Sequence, residues 1–104
     1  MHGSFLNRIR SESVGRVEVV HDYLQIEFNN GAKLSIYNRW KVENEARLAV
    51  LEGASLDRVE VREGSIYFAF STARLIVDIN SDAYPGPEAL TLWVDGQVFV
   101  WNGD

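Results

Sequence analysis

The sequence predicts an all-β fold: an antiparallel β-sandwich or partly open barrel made from two repeated three-stranded meanders and a C-terminal hairpin. Three observations carry that expectation. First, "VEVVHDYLQIEFNNGAKLSI" (Val17 to Ile36) returns as "VEVREGSIYFAFSTARLIV" (Val59 to Val77), at an offset of 42 that closes to 41 in the second turn. Second, both copies alternate with period two, placing Leu24, Ile26 and Phe28 on one face and Gln25 and Glu27 on the other, then Ile66, Phe68 and Phe70 against Tyr67 and Ala69. Third, Asp95-Gly96 divides "LTLWVDGQVFVW" as a two-residue hairpin turn does.

Taken in chain order, "SFLNRIR" reads as one helical turn or an edge segment. In the first meander Val19 faces Leu24 and Val17 faces Ile26, which leaves His21-Asp22 as the turn. Ile26 then faces Leu34 and Leu24 faces Ile36, leaving Asn29-Asn30-Gly31 as a loop with Gly31 in the left-handed bulge position. Copy two repeats the first register: Val61 faces Ile66 and Val59 faces Phe68 across Glu63-Gly64. Its second turn is open between a short Ser71-Thr72 loop, with Phe68 facing Leu75, and a longer Ser71 to Arg74 loop.

In the central connection, Glu43 to Leu51 has good helix formers and Gly53 as a stop, with a strand from Trp40 to Leu48 as the competitor. In the closing hairpin Leu92 faces Phe99 and Leu90 faces Trp101, while Trp93, Val98 and Val100 share the other face. A hairpin apolar on both sides is expected to be central or covered. The whole reads as one domain over 1–104, with repeat units at 14–38 and 56–80 and the hairpin at 88–102.

Composition narrows the function classes. Fifteen acidic against ten basic residues leave a net charge of -5, and the Arg and Lys residues are scattered among acids, so nucleic acid is an unfavourable partner. No apolar run approaches the ~20 residues of a membrane span, and the first ten residues lack a secretory h-region, so a cytoplasmic protein off the membrane is expected. Cysteine is absent, which removes disulfides and thiolate chemistry.

Catalytic signatures are sparse. His21-Asp22 could be a polarised imidazole, but both sit in a turn that favours residues tolerant of positive φ. No G-x-S-x-G and no glycine-rich phosphate loop occurs. Asp78-Ile79-Asn80-Ser81-Asp82 has the D-x-N-x-D spacing of a calcium loop, yet position six is Ala83 and position twelve Ala89, so a turn is expected there and no metal or cofactor. Tyr84-Pro85-Gly86-Pro87 forms a stiff crossing loop, in which Tyr84 and Glu88 stand near the acids Asp78 and Asp82. Trp101 shares the core face, and Trp93 lies on the face a partner would cover.

The pattern V-x-V … L-x-I-x-F-x-N-G-x-x-L-x-I-Y-N-x-W of Val17 to Trp40, its echo from Val59 and the closing "PGPEALTLWVDGQVFVWN" resemble small uncharacterised bacterial all-β families, some of the immunity-protein-like kind found in polymorphic toxin systems. That resemblance implies a bacterial origin and a binding role. The functional expectation is a non-catalytic protein-binding domain, of which a toxin-neutralising immunity-type protein is one form. It would meet a protein partner, basic in character, through Asp78, Asp82, Tyr84, Glu88 and Trp93. The alternatives are a homo-oligomeric accessory domain, for instance a homodimer on the Trp93 face, and a small-molecule-binding protein or enzyme with a pocket between the two repeats.

Overall fold

The computed structural model describes residues 4–80 and 89–101. Its strands are β1 (Val14–Val20), β2 (Tyr23–Phe28), β3 (Lys33–Ile36), β4 (Trp40–Val42), β5 (Leu56–Arg62), β6 (Ser65–Phe70), β7 (Arg74–Asp78), β8 (Leu90–Val94) and β9 (Gln97–Trp101). They form two antiparallel sheets, β1-β2-β3-β8-β9 and β4-β7-β6-β5. The fold is therefore all-β, with a sandwich of two sheets as its layout. Among the described residues no helix is long and apolar enough to cross a membrane.

The strand pairings follow the alternation. Val19 opposes Leu24, Val17 opposes Ile26, and Leu24 opposes Ile36. In the second meander Val61 opposes Ile66, Phe68 opposes Leu75 and Ile66 opposes Val77. The register selects the short Ser71-Thr72 loop, and tertiary contacts explain this unusual turn pair: the Thr72 hydroxyl donates to Val50 O at 2.7 Å, and Ser71 Oγ accepts from Ser55 N at 3.1 Å. Backbone conformations also match, with His21 at φ 58°, Gly31 at 93°, and Asp95 and Gly96 both positive, as a type I′ turn requires.

The connections exchange strands between the sheets. After β3 the chain crosses over and β4 pairs with β7 of the second meander; after β7 it crosses back and β8 pairs with β3 of the first. The hydrogen bonds at the crossings correspond: Tyr37 N donates to Ala89 O and Asp78 N to Arg39 O, both at 2.9 Å. Both first strands carry the same bulge, at Val14/Arg16 and at Leu56/Arg58. An isolated Ser13–Ser55 bridge lies between them, flanked by Val14 N donating to Ala54 O and Leu56 N donating to Glu12 O.

The inner faces meet in one apolar cluster in which Leu24, Ile26, Leu34 and Ile36 pack with Leu56, Ile66, Phe68 and Leu75, all fully buried. Each such side chain contributes about 1.5–3 kcal/mol relative to exposure. These side chains fill the space between the two repeats, where one alternative reading puts a pocket. Leu6 and Ile9, on a 3-10 helix over Ser4–Ile9, close one end of the core, and Phe5 stacks on Phe99 at 5.4 Å. Trp101 is buried with them.

Two expectations need correction. The central connection is neither one helix over 43–51 nor a strand over 40–48. It is the short strand β4 followed by 3-10 turns at Glu43–Glu45 and Leu48–Leu51, with Ala46 and Arg47 extended between them. β4 must stay extended to pair with β7, and the three-residue period of the second turn aims both Leu48 and Leu51 at the core. Nor is the closing hairpin central, or covered by another part of the described chain. β9 pairs only with β8 among the described strands, and the outer side of the hairpin is open.

Ser11 and Gly53 occupy corresponding places. Ser11 N donates to Leu56 O and Gly53 N to Val14 O, and both residues are left-handed, at φ 73° and 82°. Only the serine carries a Cβ, which costs about 1 kcal/mol in that conformation. Ser11→Gly should therefore raise the melting temperature and Gly53→Ala lower it, each by about 4–8 °C. A thermal melt of each variant checks the opposite signs.

Candidate functional site

Two outward faces are available for function, one on each sheet. On the four-stranded sheet, alternation turns Arg58, Glu60 and Arg62 of β5, Tyr67 of β6, and Arg74, Ile76 and Asp78 of β7 away from the core. These side chains satisfy one another. Glu60 pairs with Arg58 at 2.9 Å and with Arg62 at 2.8 Å, while Arg74 grips both oxygens of Glu43, with Nε to Oε1 at 3.0 Å. The Arg62 and Arg74 guanidinium carbons lie 4.4 and 5.6 Å from the Tyr67 ring centre. Beside this lattice a depression of about 440 Å³ opens between β4, β6 and β7, lined by Arg39, Lys41, Tyr67, Ile76 and Asp78 among others.

The hydrogen bond from Arg74 holds the Glu43 carboxyl below the usual carboxylate range, and that from Arg62 does the same for Glu60. The same bonds raise Arg74 and Arg62. This face is consequently a cross-linked polar surface in which Arg39, Arg58, Arg62 and Arg74 each have an anion or a ring to hold them.

Asp78 belongs to this face and is fully engaged. Its Oδ2 accepts from Arg39 at 3.1 Å, and its Oδ1 accepts from the backbone N of Asn80 at 2.9 Å and from Asn80 Nδ2 at 3.0 Å. Its carbonyl accepts from the buried Asn38 at 2.7 Å. Asn80 thus turns its amide nitrogen, not its oxygen, towards Asp78, the arrangement of a capped turn rather than of two donors aimed at one ion. Among the described residues no three His, Cys, Asp or Glu side chains gather as a metal site. Asp82, Tyr84 and Glu88, the other acids and the tyrosine expected at this site, lie outside the described residues.

The second face is apolar at its β8–β9 end. Trp93 of β8 opposes Val98 of β9, and Thr91 opposes Val100, so Trp93, Val98 and Val100 form one patch on the outer side of the five-stranded sheet. They are 44%, 62% and 46% exposed. Lys33 of β3 borders the patch, directly opposite Trp93. Asp78 and Trp93 therefore stand on opposite outer faces of the sandwich and cannot act on one small ligand together.

Sequence reasoning placed Trp93, Val98 and Val100 together on this face but named only Trp93 as a partner contact. With Asp95-Gly96 as the turn, the even-numbered valines of "QVFVW" must lie beside Trp93. His21, at the tip of the β1–β2 turn, belongs to neither face. What this geometry can do chemically is bind: a flat apolar patch with an amphipathic indole at its centre excludes water against a matching surface.

The glutamate pairs set a pH dependence. Because the folded-state carboxyls titrate below their unfolded values, their stabilisation is present above the ordinary glutamate range and is lost as pH falls through the depressed values. Melting temperature should accordingly drop between about pH 5 and pH 3. Arg74→Ala and Arg62→Ala should each flatten that drop, by a modest amount because both pairs stay open to water. Melting curves across that range for the three proteins check it; an unchanged slope in both variants would show that the pairs contribute nothing.

The chain matches no protein-family model, no curated protein and no solved structure.

Proposed function

We propose that this protein is a non-catalytic protein-binding domain whose docking surface is the outer face of the β8–β9 hairpin. The observation that carries this reading is the patch of Trp93, Val98 and Val100, which holds three large apolar side chains in water on a rigid sheet. Leaving such groups exposed forgoes burial that the core obtains everywhere else, and contiguous apolar surface of this kind marks a place that a partner covers. Trp93 supplies the central aromatic, a residue type that dominates binding energy when buried at an interface.

The net charge of -5 favours a basic partner, since opposite charge speeds association. A toxin-neutralising role of the immunity type is the specific form of this proposal, in a bacterial and cytoplasmic setting. In that form the net negative charge, to which Asp78, Asp82 and Glu88 contribute, would steer the partner in, while the Trp93 patch supplies the buried contact.

The test is affinity capture from the native host with the wild-type chain and with a variant carrying Trp93→Ala, Val98→Thr and Val100→Thr. Threonine keeps the strand preference at both positions, so the variant should melt as the wild type does. A protein recovered by the wild type should fall about tenfold or more in the variant, and its recovery should decline with added salt if charge attracts it. Equal recovery by both chains would refute the patch as the docking surface.

A further inference from the structure

We propose that the open edge of β9 pairs with β9 of a second copy of this chain, antiparallel about a two-fold axis at Phe99, joining two five-stranded sheets into one. The phase of the β8–β9 ladder sets up the contact. The turn closes with Val94 opposite Gln97, and Ala89 N donates to Trp101 O at 2.8 Å, so Gln97, Phe99 and Trp101 direct their backbone groups at β8. Val98 and Val100 direct theirs away from the sheet, where β9 has no neighbour among the described strands. With the axis at Phe99, Val98 meets Val100 of the second copy and Val100 meets its Val98. Each of these pairs exchanges two hydrogen bonds, and valine lies against valine on the outer face.

The other edges of this molecule are guarded and this one is not. β1 and β5 each carry a bulge and a row of charges, Arg16 and Glu18 on one and Arg58, Glu60 and Arg62 on the other. β4 has only three residues. Bulges, charges and shortness are the devices that prevent edge-to-edge association. Gln97–Trp101 has five residues with no charge, proline or bulge among them; the charge beside it is that of Arg8, whose guanidinium carbon lies 4.9 Å from the Phe99 ring centre and is held on that ring.

Size and charge then set the strength. A contact along five residues falls in the small interface class, below ~1,200 Å², which implies a weak dimer with a dissociation constant on the order of 100 µM. Each copy carries a net charge of -5, so salt should strengthen the dimer, the reverse of its effect on a basic partner. Edge pairing leaves the outer faces open and sets the two Trp93 patches side by side on one surface. The inference thus adds to the proposed docking surface but does not require it.

Sedimentation equilibrium of the full chain from ~10 µM to ~1 mM, with and without added salt, reads the association. Amide exchange by NMR at both concentrations reads the edge. We expect a mainly monomeric chain at the low end, a mainly dimeric one at the high end, and about fourfold slower exchange of the Val98 and Val100 amides on concentration, as the fall in free monomer sets. Val100→Pro, which removes no bond to β8, and Val98→Lys, which adds a guarding charge, should each abolish the dimer. Either one that melts as the wild type suffices if the other does not fold. Trp93→Ala should dimerise within about threefold of the wild type while losing partner capture. A chain that stays monomeric at ~1 mM overturns the inference and leaves the capture result standing. So does a dimer that Trp93→Ala abolishes while the two amides stay unprotected, because it would be stacked through its faces.

Discussion

Every part of this structure depends on the exchange of β4 and β8. Each meander has an apolar face and an open third-strand edge, and neither is completed by its own half. β3 is paired by the strand that follows the second meander, and β7 by the strand that follows the first. Because each crossing places one half's strand in the other half's sheet, the two apolar faces are held against each other with β-ladder hydrogen bonds on both sides of the core. Pairing these backbone groups removes the penalty that unpaired ones would carry at the edge of a buried layer.

The corresponding positions of the two halves also show where they diverge. Lys33 and Arg74 occupy the same place in their meanders, each opposite the strand that has crossed over. Arg74 meets Glu43 and forms a bidentate pair, whereas Lys33 meets Trp93. That difference in partner chemistry separates the two outer faces at this position. The four-stranded sheet presents a polar lattice whose acids and arginines are paired with one another. The five-stranded sheet presents an indole beside two valines, and only that face gains by losing water.

The local features were legible because they rest on short-range chemistry. Period-two alternation placed Leu24, Ile26, Phe28, Ile66 and Phe68 in the core, and Asp-Gly and Asn-Gly turns set the hairpin registers. The Glu43 to Leu51 segment was not legible in the same way. Its helix formers favour one state by local propensity, and tertiary contacts, the Glu43–Arg74 pair and the packing of Leu48 and Leu51 on the core, favour another, since they outweigh tenths of a kcal/mol per residue. The candidate site was half legible. Trp93 stood out, whereas the contacts of Asp78 could not be read locally, because its partners Arg39 and Asn38 lie some forty residues away along the chain.

The sequence by itself thus determined strands, turns and which residues face inward, all consequences of the two-residue period and of backbone preferences at His21, Gly31, Asp95 and Gly96. Only the tertiary structure decided which sheet each strand joins, that β9 lies at an edge, and that the second apolar face of the hairpin stays in water. Alternation records that a side chain points to one side of a strand. What waits on that side, another layer or solvent, depends on how distant strands pair, and no local pattern encodes that.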